Sequence, residues 1–350
     1  MSTEEHALEL IERVRSKPPR FEDAQITMAH GAGGKASRAL VEGLLAPALG
    51  VQELDDAASV GDLALTTDSF VVQPIRFPGG SIGELAVNGT VNDLAVSGAR
   101  PLALTLSLVL EEGLGSNELR AEVEAIAAAA AVAGVSVVAG DTKVVERGSC
   151  DAMYITTTGL GRFDPRANLS PRSLEPGDRI LVSGSLGDHG TAVMLARGEF
   201  ELAAPVESDT QSLWPAVDAL LDAAGSSLRA MRDATRGGVA TVLNELARTS
   251  SVAIVVREAQ VPVRPAVVGA CEILGIDPMY VANEGKLVAF VAPEAAAGAL
   301  AALQRVPGCE AAAEIGEVKT DPPGMVLVET AFGGRRVMDM LVGDPLPRIC

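Results

Sequence analysis

Helical and strand-like spacings of apolar residues take turns along most of this chain. Leu8 and Ile11 fall at helical spacing behind Thr3, which predicts a short helix over 4–16, stopped by Pro18 and Pro19. From Ile26 to about Phe163 the two spacings alternate. Residues 63–67 and 70–72 predict strands on either side of Asp68, 82–97 a helix, and 102–110 a buried strand. Ser116 is placed to cap a helix reaching Ala133, and the β-branched 135–139 and threonine-rich 153–160 predict two more strands. A proline-containing joint over 165–176 interrupts the pattern, which then restarts. Strands are predicted over 179–183, 252–256, 287–291 and 325–328, and helices over 191–197 and 237–249, with an alanine-rich helix before the last strand. The pattern is that of an α/β chain with an N-terminal extension (1–25), a first domain (26–165), a second of similar size (170–340) and a tail (341–350). Pro345 and Pro347 forbid a regular helix in that tail, which reads as an extended, mobile arm ending in the thiol of Cys350.

Composition narrows the function. The 350 residues are 48% apolar and 21% charged, a globular balance. With 28 basic against 46 acidic residues the net charge is −18, which repels phosphate backbones and anionic lipid, and aromatics are only 3%. Nucleic acid and membrane are therefore not expected as partners. The four cysteines form no CxxC pair, so a reducing cytoplasm is the simplest setting. The longest uncharged stretch, 125–140, is shorter than a membrane span needs, and the acidic first residues are unlike a signal peptide.

Three features carry candidate chemistry. His30-Gly31-Ala32-Gly33-Gly34-Lys35 is a glycine-rich loop leading into a helix, able to aim N–H groups at phosphate, although it is not a Walker A loop and also reads as a plain turn. Asp55, Asp56, Asp68, Asp93, Asp141 and Asp233 are read as lying at strand ends and tight turns. Gathered there, such hard oxygens suit Mg²⁺ and phosphate, whereas singly each suits a turn or a helix cap. Lys143 lies two residues beyond Asp141, on the same side of an extended chain. Glu284, in Asn283-Glu284-Gly285-Lys286, is a candidate general base or an ordinary turn carboxylate. Cys350 is either a covalent carrier that another site modifies or an accidental thiol.

The motifs DDAA, TTDSF, GTVNDLAVSGA, GDTKVV, DATRGG, NEGKL and PRIC, in this order, resemble those of the HypE family of hydrogenase maturation factors. That family is part of the ATP-binding superfamily of aminoimidazole ribonucleotide synthetase, thiamine-monophosphate kinase and selenophosphate synthetase. The resemblance runs from about Ile26 to Cys350; the glycine-rich loop lacks the reactive cysteine of the selenophosphate branch. It implies a two-domain α/β (α+β) fold like that of aminoimidazole ribonucleotide synthetase, with first-domain sheets closing a barrel across a homodimer. It implies ATP-dependent dehydration of an S-carbamoyl group on Cys350 to a thiocyanate. HypF would supply the carbamoyl group, and the HypC–HypD complex would receive the cyano group for the iron of [NiFe]-hydrogenase. Carried over by position, Gly31, Gly33, Gly34, Lys35, Asp55, Asp68, Asn92, Asp93, Asp141, Thr142 and Asp233 resemble ATP-binding residues. Asp56, Asp68, Asp93 and Asp141 resemble Mg²⁺ ligands, and Lys143 and Glu284 are matched to the chemistry at Cys350.

Overall fold

The apolar run Leu287–Val291 has no polar face because it is buried on both. Leu287, Ala289 and Val291 pack into one core cluster, and Val288 and Phe290 into another on the opposite side. In the computed structural model, which describes residues 19–52, 54–198, 205–343, 346 and 348–350, this strand lies near one edge of the second of two large sheets. The helix predicted over 4–16 and the prolines at 345 and 347 lie outside the described residues.

The first sheet comprises β1 (Ala58–Val60), β2 (Leu63–Phe70), β5 (Ala99–Glu111), β6 (Ser136–Val145) and β7 (Met153–Phe163), in the order β1-β2-β7-β5-β6. β3 (Arg76–Phe77) and β4 (Gly80–Ser81) form a small hairpin beside it. The glycine-rich loop opens α1 (Lys35–Leu40); α2 (Ile82–Val96) and α3 (Ser116–Ala133) pack against each other, α2 resting on β2, β5 and β7. The second sheet has the order β14-β13-β10-β12-β8-β11-β9. Its strands are β8 (Arg179–Val182), β9 (Leu228–Asp233), β10 (Ala253–Arg257), β11 (Leu287–Val291), β12 (Ala313–Lys319), β13 (Val326–Glu329) and β14 (Arg335–Met338). Its helices are α4 (Asp188–Ala196), α5 (Trp214–Ala224), α6 (Gly238–Thr249), α7 (Pro265–Leu274) and α8 (Pro293–Leu303). α6 covers one face, α5 and α8 the other.

α2 is enclosed nearly all round, its polar Asn88, Thr90 and Asn92 included. Its C-terminal Ala95 and Val96 join the core that α5 and α8 make with the second sheet. The first sheet is open within the chain, with β1 and β6 as its edges.

Several expectations need correction. Asp68 does not divide two strands: β2 runs through it, paired residue by residue with β7 from Leu63 to Phe70, and residues 71–72 lie beyond the strand. A strand carboxylate projects from the face and leaves the backbone ladder intact. β6 likewise continues through Asp141 to Val145, held by parallel pairing to β5, and Asp93 sits within α2. Of the aspartates read as strand-end or turn residues, Asp233 ends β9 and Asp56 lies in a bend, while Asp55 lies in the irregular segment before β1. Ser116 is the first residue of α3, whose cap is Gly115. β5 is only intermittently buried.

Candidate functional site

The two domains bring carboxylates from separate elements into one acidic centre. β2 supplies Asp68, α2 Asp93, the end of β9 Asp233, the segment before β1 Asp56, and the turn before β11 Glu284. Burial raises the proton affinity of Asp93 well above the ordinary carboxylate range, and the charges of Asp233, Asp56 and Asp68 add to the effect. Burial and Asp56 push Asp233 up to about 8. Glu284 is raised well above its usual value by burial, then by Asp233, Asp68 and Asp209. Its Oε1 is buried and has no hydrogen-bond partner among the described residues. Partial neutralisation comes from Arg232, which donates to Asp55 at 2.7 Å and also to Asp56. Thr66 Oγ1 donates to Asp93 Oδ2 at 2.8 Å, which turns that carboxylate towards β2.

Asn92 fastens the halves together. Its Nδ2 donates to the carbonyls of Gln211 (3.0 Å) and Glu284 (3.2 Å), and its Oδ1 accepts from Leu213 N at 2.7 Å. It acts on the centre by fixing the Glu284 turn.

The glycine-rich loop closes against the turn that follows β9. Arg236 donates to the Gly31 carbonyl at 3.0 Å. A Cβ on Gly33 would stand 2.7 Å from the Arg236 carbonyl oxygen, and one on Gly34 2.5 Å from that of Leu341, so only glycine allows this approach. His30 is a fastener, bonded through Nδ1 to Thr27 N and through Nε2 to Asp23. Lys35 Nζ lies 2.7 Å from Asp339, so in this conformation it is engaged at the root of the tail.

The described residues at the end of the tail, Leu346 and 348–350, pack against the rest of the protein. Leu346 and Ile349 are buried in the first core cluster, and Cys350 lines a cavity of about 150 Å³ with Gly31, Ala32, Ser69, Arg236 and Tyr280. The negative charge at Cys350 is the foremost influence raising the basicity of Arg236, followed in favour by Asp68, Glu284 and Asp93. Arg236 thus links Cys350, the glycine loop and the acidic centre.

The domain models for AIR synthase related protein match this chain in order, the N-terminal domain over residues 54–163 and the C-terminal domain over 175–328. The carbamoyl dehydratase HypE of Rhodobacter capsulatus is 47% identical over 94% of this chain and 99% of its own length. The chain belongs to the HypE family of carbamoyl dehydratases. A crystal structure of a HypE–HypF complex superposes with a TM-score of 0.83 at 44% identity, over 87% of this chain and 100% of that one. A HypE crystallised in complex with ATP gives 0.79 at 45%, over 93% and 100%.

Not every expected residue of this HypE-family enzyme joins the centre. Asp141, Thr142 and Lys143 lie on the exposed edge strand β6. There Lys143 Nζ meets Asp141 Oδ2 at 2.6 Å, and this bond holds the Asp141 carboxyl below its usual value. Lys143 thus stands on an exposed edge, whereas Glu284 is buried in the acidic centre. Conversely, sequence reading misses Arg232, Arg236, Asp209 and Lys286. Asp209 Oδ1 accepts from Glu284 N at 3.0 Å, and the nearly buried Lys286 lies 3.6 Å from Asp209 Oδ2. Arg236 has a signal, since it sits between Asp233 and two glycines in DATRGG. Among the described residues no helix is long and apolar enough to cross a membrane.

Proposed function

We propose that this chain converts an S-carbamoyl group on Cys350 to a thiocyanate, using ATP to turn the amide oxygen into a leaving group. The amide oxygen attacks the terminal phosphorus and ADP departs. One N–H proton passes to water as the oxygen is phosphorylated and a base takes the second; the C–O bond breaks, phosphate leaves, and S–C≡N remains on Cys350. The protein has little covalent chemistry of its own to do, so positioning and charge stabilisation carry the rate. The observation that carries this reading is Cys350 seated in one cavity with the glycine loop and Arg236, beside the acidic centre.

Glu284 is the proposed base. Its burial strengthens its hold on a proton, and its unpartnered Oε1 is suited to an amide N–H. Arg236 is proposed to stabilise charge on the phosphorylated oxygen. Gly31, Gly33, Gly34 and Lys35 are proposed to fold over the phosphates, with Lys35 leaving Asp339. Asp55, Asn92 and Asp233 support the nucleotide pocket.

Asp56, Asp68 and Asp93 are proposed to hold Mg²⁺ through hard carboxylate oxygens: burial raises the proton affinity of all three, and at Asp93 the neighbouring carboxylates add to it, a cost that a divalent cation would offset. Among the described residues no three acidic, histidine or cysteine side chains form a ligand set alone. Nucleotide phosphate and water would therefore complete the shell, and the ion would neutralise charge on the transferred group.

Residues 26–165 are proposed as the ATP-binding domain, 170–340 as the second domain and 341–350 as the carrier tail. A homodimer is supported by β6, an edge strand whose Val138 and Val144 are 65% and 67% exposed. Pairing of first-domain sheets into a barrel would cover that strand and set Asp141, Thr142 and Lys143 against a second copy. HypF is the proposed carbamoyl donor and HypC–HypD the acceptor.

Cys350→Ala tests the carrier role. The variant is expected to bind Mg-ATP and to support no hydrogenase maturation; full maturation by it would refute the reading.

A further inference from the structure

We propose that Arg348, together with Asp151 and His189, is a register clamp that fixes where Cys350 stops inside the cavity. The chain after β2 pairs with the tail through two main-chain bonds, Val71 N to the Cys350 oxygen (3.1 Å) and Gln73 N to the Arg348 oxygen (3.2 Å). Residues 71 and 73 thus face 350 and 348, the order of an antiparallel pair. Such bonds are blind to sequence and would form equally well one residue out of step. A slip would expose the buried Ile349 and move the sulfur by about 3.3 Å, more than a reacting geometry tolerates.

Side chains remove that ambiguity. The Arg348 guanidinium donates to Asp151 Oδ2 at 2.5 Å and to Gln73 Oε1 at 3.0 Å, and also to the Val71 carbonyl. Its backbone takes φ +55°, a left-handed conformation that a non-glycine residue keeps only when its surroundings impose it. Across the tail, the fully buried His189 lies 2.6 Å through Nε2 from the Ile349 carbonyl, while Nδ1 meets Ser208 Oγ at 2.8 Å. Burial disfavours the imidazolium. The neutral ring donates from Nε2 to the carbonyl and accepts at Nδ1 from the serine hydroxyl. Arg348 is held from its tip and Ile349 from its carbonyl, so one register satisfies both.

These are positioning residues. That register governs turnover rests on the carrier role of Cys350; that the clamp holds the tail does not. Alkylation by iodoacetamide, followed by intact mass on the full chain, reads docking without activity. Cys150, Cys271 and Cys309 are buried, so their labelling in the same spectrum reports any loss of fold. Arg348→Ala and the near-isosteric Asp151→Asn are expected to label at position 350 at least about ten-fold faster than the parent, with the other three cysteines unlabelled. The exchange Arg348→Asp with Asp151→Arg is expected to recover part of the protection, which a merely structural role would not. Single-turnover thiocyanate formation from a carbamoylated tail should fall and recover with it at unchanged Mg-ATP affinity. The clamp is overturned if Arg348→Ala and Asp151→Asn label at the parent rate, or if the exchange restores nothing. It is also overturned if protection is lost while single-turnover thiocyanate formation holds. Maturation by Cys350→Ala would remove the carrier role and leave the labelling result standing.

Discussion

Asp188, the first residue of α4, is fully buried, and neither carboxylate oxygen has a hydrogen-bond partner among the described residues. Burial raises its pKa from 3.8 to about 6, a shift opposed by Arg264 3.5 Å away, assisted by Asp209 and again opposed by Lys286. A carboxyl whose folded pKa lies above its unfolded one binds a proton more tightly when folded. The stability it contributes is full below pH 3.8 and is lost as pH rises through about 6. Asp188→Asn removes that loss. Relative to the parent, the variant should gain about 1–2 kcal/mol at pH 8 after allowance for solvent screening, and nothing at pH 4. Urea unfolding across this range checks it, and parallel curves for the two proteins would contradict it. The same desolvation acts at Glu284, Asp93 and Asp233 in the acidic centre.

At the scale of elements, the turn between β9 and α6 leaves the site little room. Gly237 and Gly238 take φ +75° and +61°, and a Cβ on Gly238 would stand 2.4 Å from the Met279 carbonyl oxygen and 2.8 Å from that of Val281. Gly238→Ala is expected to cost about 1–3 kcal/mol and to displace Arg236, lowering turnover as well as the melting temperature. Calorimetry with a single-turnover assay checks both; an unshifted melting temperature would contradict the packing argument. Sequence reading succeeds where burial is complete. The run 287–291 matches β11 residue for residue, and 82–97 gives α2 to within one residue. It fails where charge interrupts a strand. β9 is missed because Arg229, Arg232 and Asp233 break its apolar run, although Arg229 pairs with Glu175 and Arg232 with Asp55, both outside the strand. β6 is cut short at residue 139 because Gly140 and Asp141 read as a turn, whereas pairing to β5 carries the strand past them. The acidic residues are legible as a set. Their convergence is not, since it depends on α2 meeting the second sheet, and neither is the separation of Lys143 from Glu284.

On the scale of the whole molecule, the first sheet has an apolar edge, with Val138 and Val144, that is exposed among the described residues. Val138→Asp with Val144→Asp is expected to shift the sedimentation of the protein from dimer to monomer and to abolish turnover with it. A parent that sediments as a monomer would contradict the dimer. Intact mass shows whether the Cys350 sulfur carries its cargo into the acidic nucleotide site. After incubation with HypF, carbamoyl phosphate and Mg-ATP, the peptide holding Cys350 should gain about 43 Da and then retain only about 25 Da, one carbamoyl group becoming one cyano group. A gain of about 43 Da that persists while ATP is hydrolysed, or a gain of about 25 Da on a Cys350→Ala chain, would contradict the account.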